Sequence, residues 1–385
     1  MTQVGIDKIS FYVPEHYVAL STLAEAQGID PDKFSRGIGQ NKIAMPTHDE
    51  DVVTLAAEAA AKVIADEDVD AIDTILFATE TGIDQSKAAG VYVHELLKLP
   101  RRCRVVELKH ACYSGTAALQ LACGHVTRKP DRKVLVIASD ISRYDLDSPA
   151  EATQGCGAVA MLVSADPKLL AIEPASGCHS EDIMDFWRPN YRKTPLVDGK
   201  FSTIKYLGAL SGAWEDYQDN GGRGFNELAQ FCYHLPFTRM GAKAHRQLSS
   251  INKAQNDPSV IEPGMIYNRE VGNCYAASLY VSLISMLENA DHDLTGLPVG
   301  LFSYGSGAVA EFFAATVQNR YRERLMKVHH QGLLENRTAL TFDQYRDMWN
   351  VPDPQDGVAC IMPNAARGRY RLTRIDEHKR HYEAA

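Results

Sequence analysis

Two short phrases of this chain resemble each other, "ACYSG" at Ala111 and "NCYAA" at Asn273. Each sets a cysteine and a tyrosine ahead of small residues and an apolar run. Cys112 follows a predicted strand, "CRVVELK", and opens a predicted helix, "ACYSGTAALQLACGHV". Backbone N–H groups at a helix start are unpaired and the dipole there is positive. That setting is expected to lower the thiol pKa and favour the nucleophilic thiolate. Ser114, Gly115, Thr116 and Ala117 are small enough to let a substrate or another backbone approach. The competing reading is a structural cysteine. Glu80 ends the run "ILFATE", and sites in α/β sheets form beyond the carboxyl ends of strands. A half-desolvated carboxylate there has a raised pKa and can act as a base; a solvated loop glutamate is the alternative. His234, in "FCYHLPFTRMGAKAH", can hydrogen-bond a carbonyl or a thiol, or be a satisfied core histidine. The turn "YGSGAVA" around Ser306 offers backbone N–H groups for half of an oxyanion hole, or is simply a tight turn between strands. Arg239, Lys243 and Arg246 follow His234 closely and can hold phosphates or form a solvated helical face.

The elements that must position these groups alternate. "DVVTLAAEAAAKVIAD" and "AGVYVHELLKL" have helical spacing, while "DTILFATE" and "KVLVIASDI" read as buried strands. Strands alternating with helices predict a parallel or mixed sheet in an α/β fold. From Pro174 to Gly224 the chain is rich in Pro, Gly, aromatics and charge, which predicts long connections over the core. "TQGCGAVAMLV" begins at Thr153 and "SYGSGAVAEFF" at Ser303, so G-x-G-A-V-A also occurs twice. A Cys-Tyr helix followed by a Gly-turn strand, once in each half, points to an internal duplication; chance likeness of Ala-rich segments is the alternative. Duplicated halves facing each other would bring helix N-termini and Gly turns to one central site.

Composition bounds the function. The 385 residues are 45% hydrophobic and 23% charged, an ordinary globular balance for two domains or one domain of two halves. A net charge of -9 argues against a general nucleic-acid binder, although a few local Lys and Arg can still hold a small anion. Eight cysteines without a C-x-x-C pair lack the structural-zinc spacings. "MTQVGIDKISFYVPEHY" has no signal-peptide core, and no apolar run is long enough to span a bilayer. The expected address is the cytoplasm, with reduced thiols that are mostly small buried hydrophobes.

Many stretches in order carry a more specific resemblance: "GIDKISFYVP", "DPDKF", "GIGQ", "ATETGIDQSKAA", "ACYSGTAALQLA", "ATQGCGAVAMLV", "DFWRP", "LVDGKFS", "YHLPFTRMGAKA", "VGNCYAASLY" and "GLFSYGSGAVAEFF". Together they resemble the 3-hydroxy-3-methylglutaryl-CoA synthase family in its compact bacterial form, up to about Phe313. The resemblance implies a thiolase-like fold of two duplicated α/β halves, layered αβαβα. The halves would be residues 1–171, with Glu80 and Cys112, and 172–385, with a site-covering insert and His234. It implies that Cys112 carries the acyl group, Glu80 is the base and His234 the third catalytic residue. Cys274 then becomes a packing residue and a relic of the duplication. Substrate contacts carry over to Thr153, Ser202, Lys243, Asn273 and Ser306, and to Asp30. Two positions depart from the pattern: His110 stands where an acid or Asn is common, and Ala242 where a second lysine can occur. The implied substrates are acetyl-CoA and acetoacetyl-CoA, with no metal or redox cofactor, no nucleic acid and no membrane, in a homodimer of the mevalonate pathway. Two further synthases share the implied fold: a β-branching enzyme acting on carrier-protein-bound polyketides, and a ketoacyl synthase III-type enzyme using Cys, His and Asn. A non-catalytic acyl-binding protein is the option from outside enzymology.

Overall fold

The computed structural model describes residues 3–351, 354 and 356–384. Nine strands form its main sheet: β1 (Val4–Tyr12), β2 (Ile72–Ala78), β3 (Arg104–Leu108), β4 (Lys133–Ser142), β5 (Gly155–Ala165), β6 (Leu170–Ser180), β7 (Gln230–Tyr233), β8 (Pro298–Gly305) and β9 (Val309–Val317). Their order is β7-β8-β9-β6-β1-β5-β4-β2-β3. Read outward from the middle, each side runs through its first, last, next-to-last and second strands, so the order is a palindrome with β3 as an extra edge. The sides meet where β1 and β6 pair antiparallel through Gly5–Ala171 and Ile6–Leu170. This palindrome is the duplication expected from the repeated phrases.

Helices fill the layers. Along β4, Ser139 Oγ reaches the carbonyl of Val52 at the start of α1 (Val52–Ile64), while Ala138 packs near Gly115 of α2 (Ser114–Arg128). Neighbouring strand residues point to opposite faces, so α1 and α2 lie on opposite sides of this half-sheet. On the other half, Phe302 and Phe312 pack with Tyr206, Trp214 and Tyr217 of α3 (Gly199–Asp219), outside. Val299, Leu301 and Phe313 face inward, into one core with α5 (Ser278–Asn289), which follows α4 (Met240–Ile251). The layers are therefore αβαβα, with α2 and α5 enclosed between the half-sheets. Thr116 and Tyr280 hydroxyls are 2.8 Å apart across that helix pair.

Two expectations need correction. The Pro174–Gly224 stretch is not mainly connection: it contains the end of β6 and the 21-residue helix α3. Its Pro and Gly residues punctuate that helix without interrupting it. Asp198 caps the start by accepting from Phe201 N at 3.1 Å. Gly221, at φ +79°, ends it, with Gly222 N bonded back to Tyr217 O at 2.8 Å. Between them Tyr206, Ala209, Leu210, Ala213, Trp214 and Tyr217 give a buried face at helical spacing. The Cys-Tyr phrases are also out of structural register. Helices α2 and α5 begin at Ser114 and Ser278, and each is preceded three residues earlier by a residue in the left-handed region, Ala111 (φ +41°) and Tyr275 (φ +44°). Ala276 therefore stands where Cys112 stands. Cys274 is fully buried packing, not the counterpart of Cys112.

The helix starts are in backbone contact: a Cβ on Gly115 would lie 2.7 Å from the Ala276 carbonyl oxygen. Gly115→Ala should therefore destabilise the protein by about 1–3 kcal/mol, read from urea unfolding. An unchanged midpoint would mean that the helix pair is looser than its geometry.

Candidate active site

Glu80 lies just beyond β2, and its loop is pinned from β4. One oxygen of Asp140 accepts from Thr79 Oγ1 (2.7 Å), Glu80 N (2.9 Å), Thr81 N (3.0 Å) and Thr81 Oγ1 (2.6 Å). Its other oxygen accepts from Ala276 N at 3.1 Å. A single fully buried carboxylate thus ties the Glu80 loop to the elbow of the opposite half. Cys112 reaches across the gap, its Sγ donating to Glu80 Oε1 at 3.0 Å. The Arg188 guanidinium donates to the Glu80 backbone carbonyl from the segment after β6.

Burial, and then the charge of Asp140, push the Glu80 carboxyl up to about 8; the Cys112 hydrogen bond and Arg188 draw it back only partly. Burial, followed by Glu80, pushes the Cys112 thiol well above its ordinary range. This reverses the expectation of a lowered thiol pKa. Cys112 sits two residues ahead of α2, and desolvation with two neighbouring carboxylates outweighs the helix dipole. The resting pair is an uncharged thiol against a carboxyl that exchanges its proton near neutrality.

His234 follows β7, with its N–H bonded to Phe302 O (2.8 Å) and its carbonyl accepting from Tyr206 (2.7 Å). The ring is 2% exposed, and Nδ1 has no hydrogen-bond partner among the described residues. Burial pushes the imidazole down to about 3, so it serves as a neutral donor or acceptor. The Ser306 turn is braced by Asp185, whose carboxylate accepts from Gly307 N (2.9 Å), Tyr304 (2.8 Å) and Ser202 (2.9 Å). Ser202 and the Ser306 turn are thus brought together. Ala308 N bonds to Glu181 O, so the Gly307 and Ala308 donors hold the turn itself. A Cβ on Gly305 would lie 2.7 Å from His110 O and from Tyr113 N, which sets this turn directly against the Cys112 elbow.

Asn273 N bonds to Thr153 O at 3.4 Å, joining two further candidates. The Asn273 side-chain oxygen accepts from Tyr275 N (2.9 Å) and Ser278 Oγ (3.0 Å). Lys243 and Asp30 are exposed. Lys243 lies over the Phe237 ring, and Asp30 accepts from Asp32 N in its own turn. Arg239 N bonds to Ile38 O and its guanidinium to Arg36 O, which places the start of α4 against the end of the short helix Asp32–Gly37.

Residue-by-residue reading missed several neighbours. Asp140 closes the run "VLVIASD" two residues before the end of β4, a pattern like the one that singled out Glu80. Asp185 and Arg188 lie in "DFWRP", whose chemistry shows only once its loop is folded over the site. Tyr144, Phe186 and Tyr275 form a ring cluster with centroids 5.8–6.5 Å apart. The Tyr275 hydroxyl is buried and unpartnered among the described residues. No group of His, Cys, Asp and Glu among the described residues is arranged to hold a metal ion.

Known sequences match this one along nearly its whole length. Residues 1–168 match the family model "Hydroxymethylglutaryl-coenzyme A synthase N terminal", and residues 170–262 and 245–385 the corresponding C-terminal model. The chain belongs to the hydroxymethylglutaryl-coenzyme A synthase family. It is 45% identical to the hydroxymethylglutaryl-CoA synthase of Enterococcus faecalis, over 90% of this chain and 91% of that protein. It is 32% identical to the polyketide biosynthesis 3-hydroxy-3-methylglutaryl-ACP synthase PksG of Bacillus subtilis, covering 90% and 87%. Among solved structures, an HMG-CoA synthase complexed with CoA superposes with a TM-score of 0.95 at 39% identity, and MvaS in complex with 3-hydroxy-3-methylglutaryl coenzyme A with 0.91 at 37%, both over the full length of each chain. The fold is accordingly the thiolase-like fold of these synthases, and the family is one of acyl-condensing enzymes.

Glu80 holds its proton up to about pH 8 in the folded protein, against about 4.5 ordinarily. The group adds no folding penalty below about pH 4.5 and a growing one up to about pH 8. Relative to wild type, Glu80→Gln should gain stability across that window, by roughly 1–3 kcal/mol after allowance for solvent contact. Urea unfolding at a series of pH values measures this; a difference independent of pH would contradict the buried-acid assignment.

Proposed function

We propose that this chain is a hydroxymethylglutaryl-CoA synthase, condensing acetyl-CoA with acetoacetyl-CoA to HMG-CoA and CoA as in the mevalonate pathway. The observation that carries this reading is the 3.0 Å contact of Cys112 Sγ with Glu80 Oε1, a nucleophile and a base on one atom pair. The 45% identity to the Enterococcus synthase supports it. From the ionised form of Glu80, which is accessible near neutrality, the Cys112 sulfur attacks the acetyl carbonyl and gives its proton to that carboxylate. The CoA sulfur departs with that proton, leaving acetyl-Cys112 and a Glu80 carboxylate. Backbone N–H groups of Cys112 and Ser306 hold the thioester oxygen. Glu80 then removes a proton from the acetyl methyl, and the carbanion attacks the ketone carbon of acetoacetyl-CoA. Neutral His234 donates a hydrogen bond to that ketone, and Glu80 returns its proton to the new alkoxide. Water cleaves the thioester and restores the thiol. Each step moves an acyl group or a proton, so no redox or metal cofactor enters.

Thr153, Ser202, Asn273 and Ser306 line the acyl end in this reading, while Lys243, with Arg239, faces the CoA phosphates or pantetheine arm and Asp30 lies at the outer mouth. The halves are taken as 1–171 and 172–385; the palindromic strand order supports a division into two halves and puts their junction between β5 and β6. Homodimerisation is supported by the edge strand β3, with Val106 40% exposed and Leu121 of α2 56% exposed beside it. A cytoplasmic location fits free thiols; no helix among the described residues is long and apolar enough to cross a membrane. The PksG likeness keeps a carrier-protein acceptor as the second reading. Turnover of carrier-protein thioesters, with none of free CoA thioesters, would replace the first.

Mass spectrometry after mixing with acetyl-CoA should locate the acetyl group on Cys112. Cys112→Ala should abolish it, and Cys274→Ala should keep it. Glu80→Ala should still reach acetyl-enzyme, more slowly because the thiol has lost its proton acceptor, but lose at least about 10²-fold in condensation, the scale of general-base catalysis. Near-normal condensation by that variant would assign the base elsewhere. Separately, Lys243→Ala should raise KM for a CoA substrate more than it lowers kcat, the pattern of lost uniform binding. A loss confined to kcat would remove Lys243 from the binding arm.

A further inference from the structure

Beside the reacting pair lies a buried carboxylate that the mechanism does not use. Glu311, on β9, is 2% exposed and faces the enclosed helix layer. The residues that follow on the same strand face, Phe313, Ala315 and Val317, are apolar and buried. In the first half, the same G-x-G-A-V-A phrase runs on into Met161. An acid at such a place is unfavourable unless its oxygens are fully used. Both are used: Tyr113, just ahead of α2, donates to Oε2 at 2.8 Å and Gln120 Nε2 on α2 to Oε1 at 2.7 Å, and Ser176 of β6 also bonds to the carboxyl. Burial still pushes the Glu311 carboxyl above its ordinary range despite these donors.

Tyr113 is the residue after the nucleophile, and it is held at both ends. Its backbone packs so closely under Gly305 that a Cβ there would lie 2.7 Å from both Tyr113 N and Tyr113 Cβ. Its N–H bonds to His110 O at 3.1 Å, closing the elbow whose middle residue, Ala111, is in the left-handed region. The far end of its ring is held by Glu311. Among the described residues, Cys112 makes no side-chain bond except the 3.0 Å contact to Glu80. Its direction is therefore set by its neighbours, and Tyr113 is the neighbour with a fixed hydroxyl.

We propose that Glu311 is a positioning residue for Cys112, holding the thiol against Glu80 through the Tyr113 hydroxyl. The assignment rests on Cys112 being the acylated residue. Displacing a reacting group by about 1 Å is enough to cost on the order of 10²-fold in rate, which makes a remote anchor kinetically visible. The second half of the protein thereby acts on a nucleophile carried by the first.

The test compares wild type with Glu311→Gln, Glu311→Met, Tyr113→Phe and the Tyr113→Phe/Glu311→Met double variant. Single-turnover mixing with acetyl-CoA gives the acetylation rate and the burst amplitude, and iodoacetamide gives Cys112 alkylation rates across pH. Glu311→Met and Tyr113→Phe should each slow acetylation by about 10–100-fold at full amplitude, with KM for acetyl-CoA within about twofold. Glu311→Gln, which keeps an acceptor for the hydroxyl, should stay within about threefold, and the double variant should match the singles. A wild-type rate in folded Glu311→Met, a loss of amplitude at unchanged rate, or fully multiplicative losses in the double variant would each overturn the proposal. Should Glu311→Met not fold, Tyr113→Phe, which removes one oxygen, decides by the same rates. If wild type itself forms no acetyl-enzyme, the functional reading fails; the alkylation rates then still test the positioning.

Discussion

A thiol and a carboxyl are held 3.0 Å apart in a largely desolvated seam between two half-sheets. Neither group would sit there by itself. Desolvation disfavours both anions, and each anion disfavours the other, so near neutrality the thiol and the carboxyl each tend to keep their own proton. That condition suits a residue that must act in turn as acceptor, base and acid. It also sets a structural demand, because the contact survives only if both loops are fixed from outside the pair.

Asp140 meets that demand on one side. It collects donors from Thr79, Glu80, Thr81 and Ala276, so one buried carboxylate fixes the base loop of the first half and the elbow of the second. Asp185 does the equivalent work at the Ser306 turn, with Tyr304, Gly307 and Ser202 as donors. Glu311 completes the set through Tyr113 and Gln120. Three buried, hydrogen-bonded acids thus surround the pair. The Glu80 carboxyl itself has only the weak thiol donor, and burial holds it high.

The duplication explains why the site lies where it does. Two halves packed about α2 and α5 bring two elbows together, and only one of them carries a nucleophile. The second elbow contributes Ala276 at the position of Cys112, and its backbone N–H goes to Asp140. One copy supplies the thiol that is proposed to react, while the other supplies bracing, His234 and the Ser306 turn. The aromatic cluster of Tyr144, Phe186 and Tyr275 draws on both halves in the same way.

Strand and helix identity, the duplicated halves and the strand-end placement of Glu80 were legible in sequence, because hydrophobic period and Gly turns are local properties. Helix α3 was missed because flanking Pro, Gly and aromatics obscured a helical face that only its caps delimit. The equivalence of Cys112 with Cys274 was misread for a related reason: a repeated dipeptide does not report backbone register, and the left-handed residues at Ala111 and Tyr275 do. The direction of the Cys112 pKa shift was beyond the sequence altogether. A helix start is local, but the desolvation and the two carboxylates that outweigh it arrive from strands dozens of residues away. Sequence by itself determined which residues could react. Tertiary structure decided their protonation, because electrostatic energy in a buried seam depends on distance and solvent access, and neither is written along the chain.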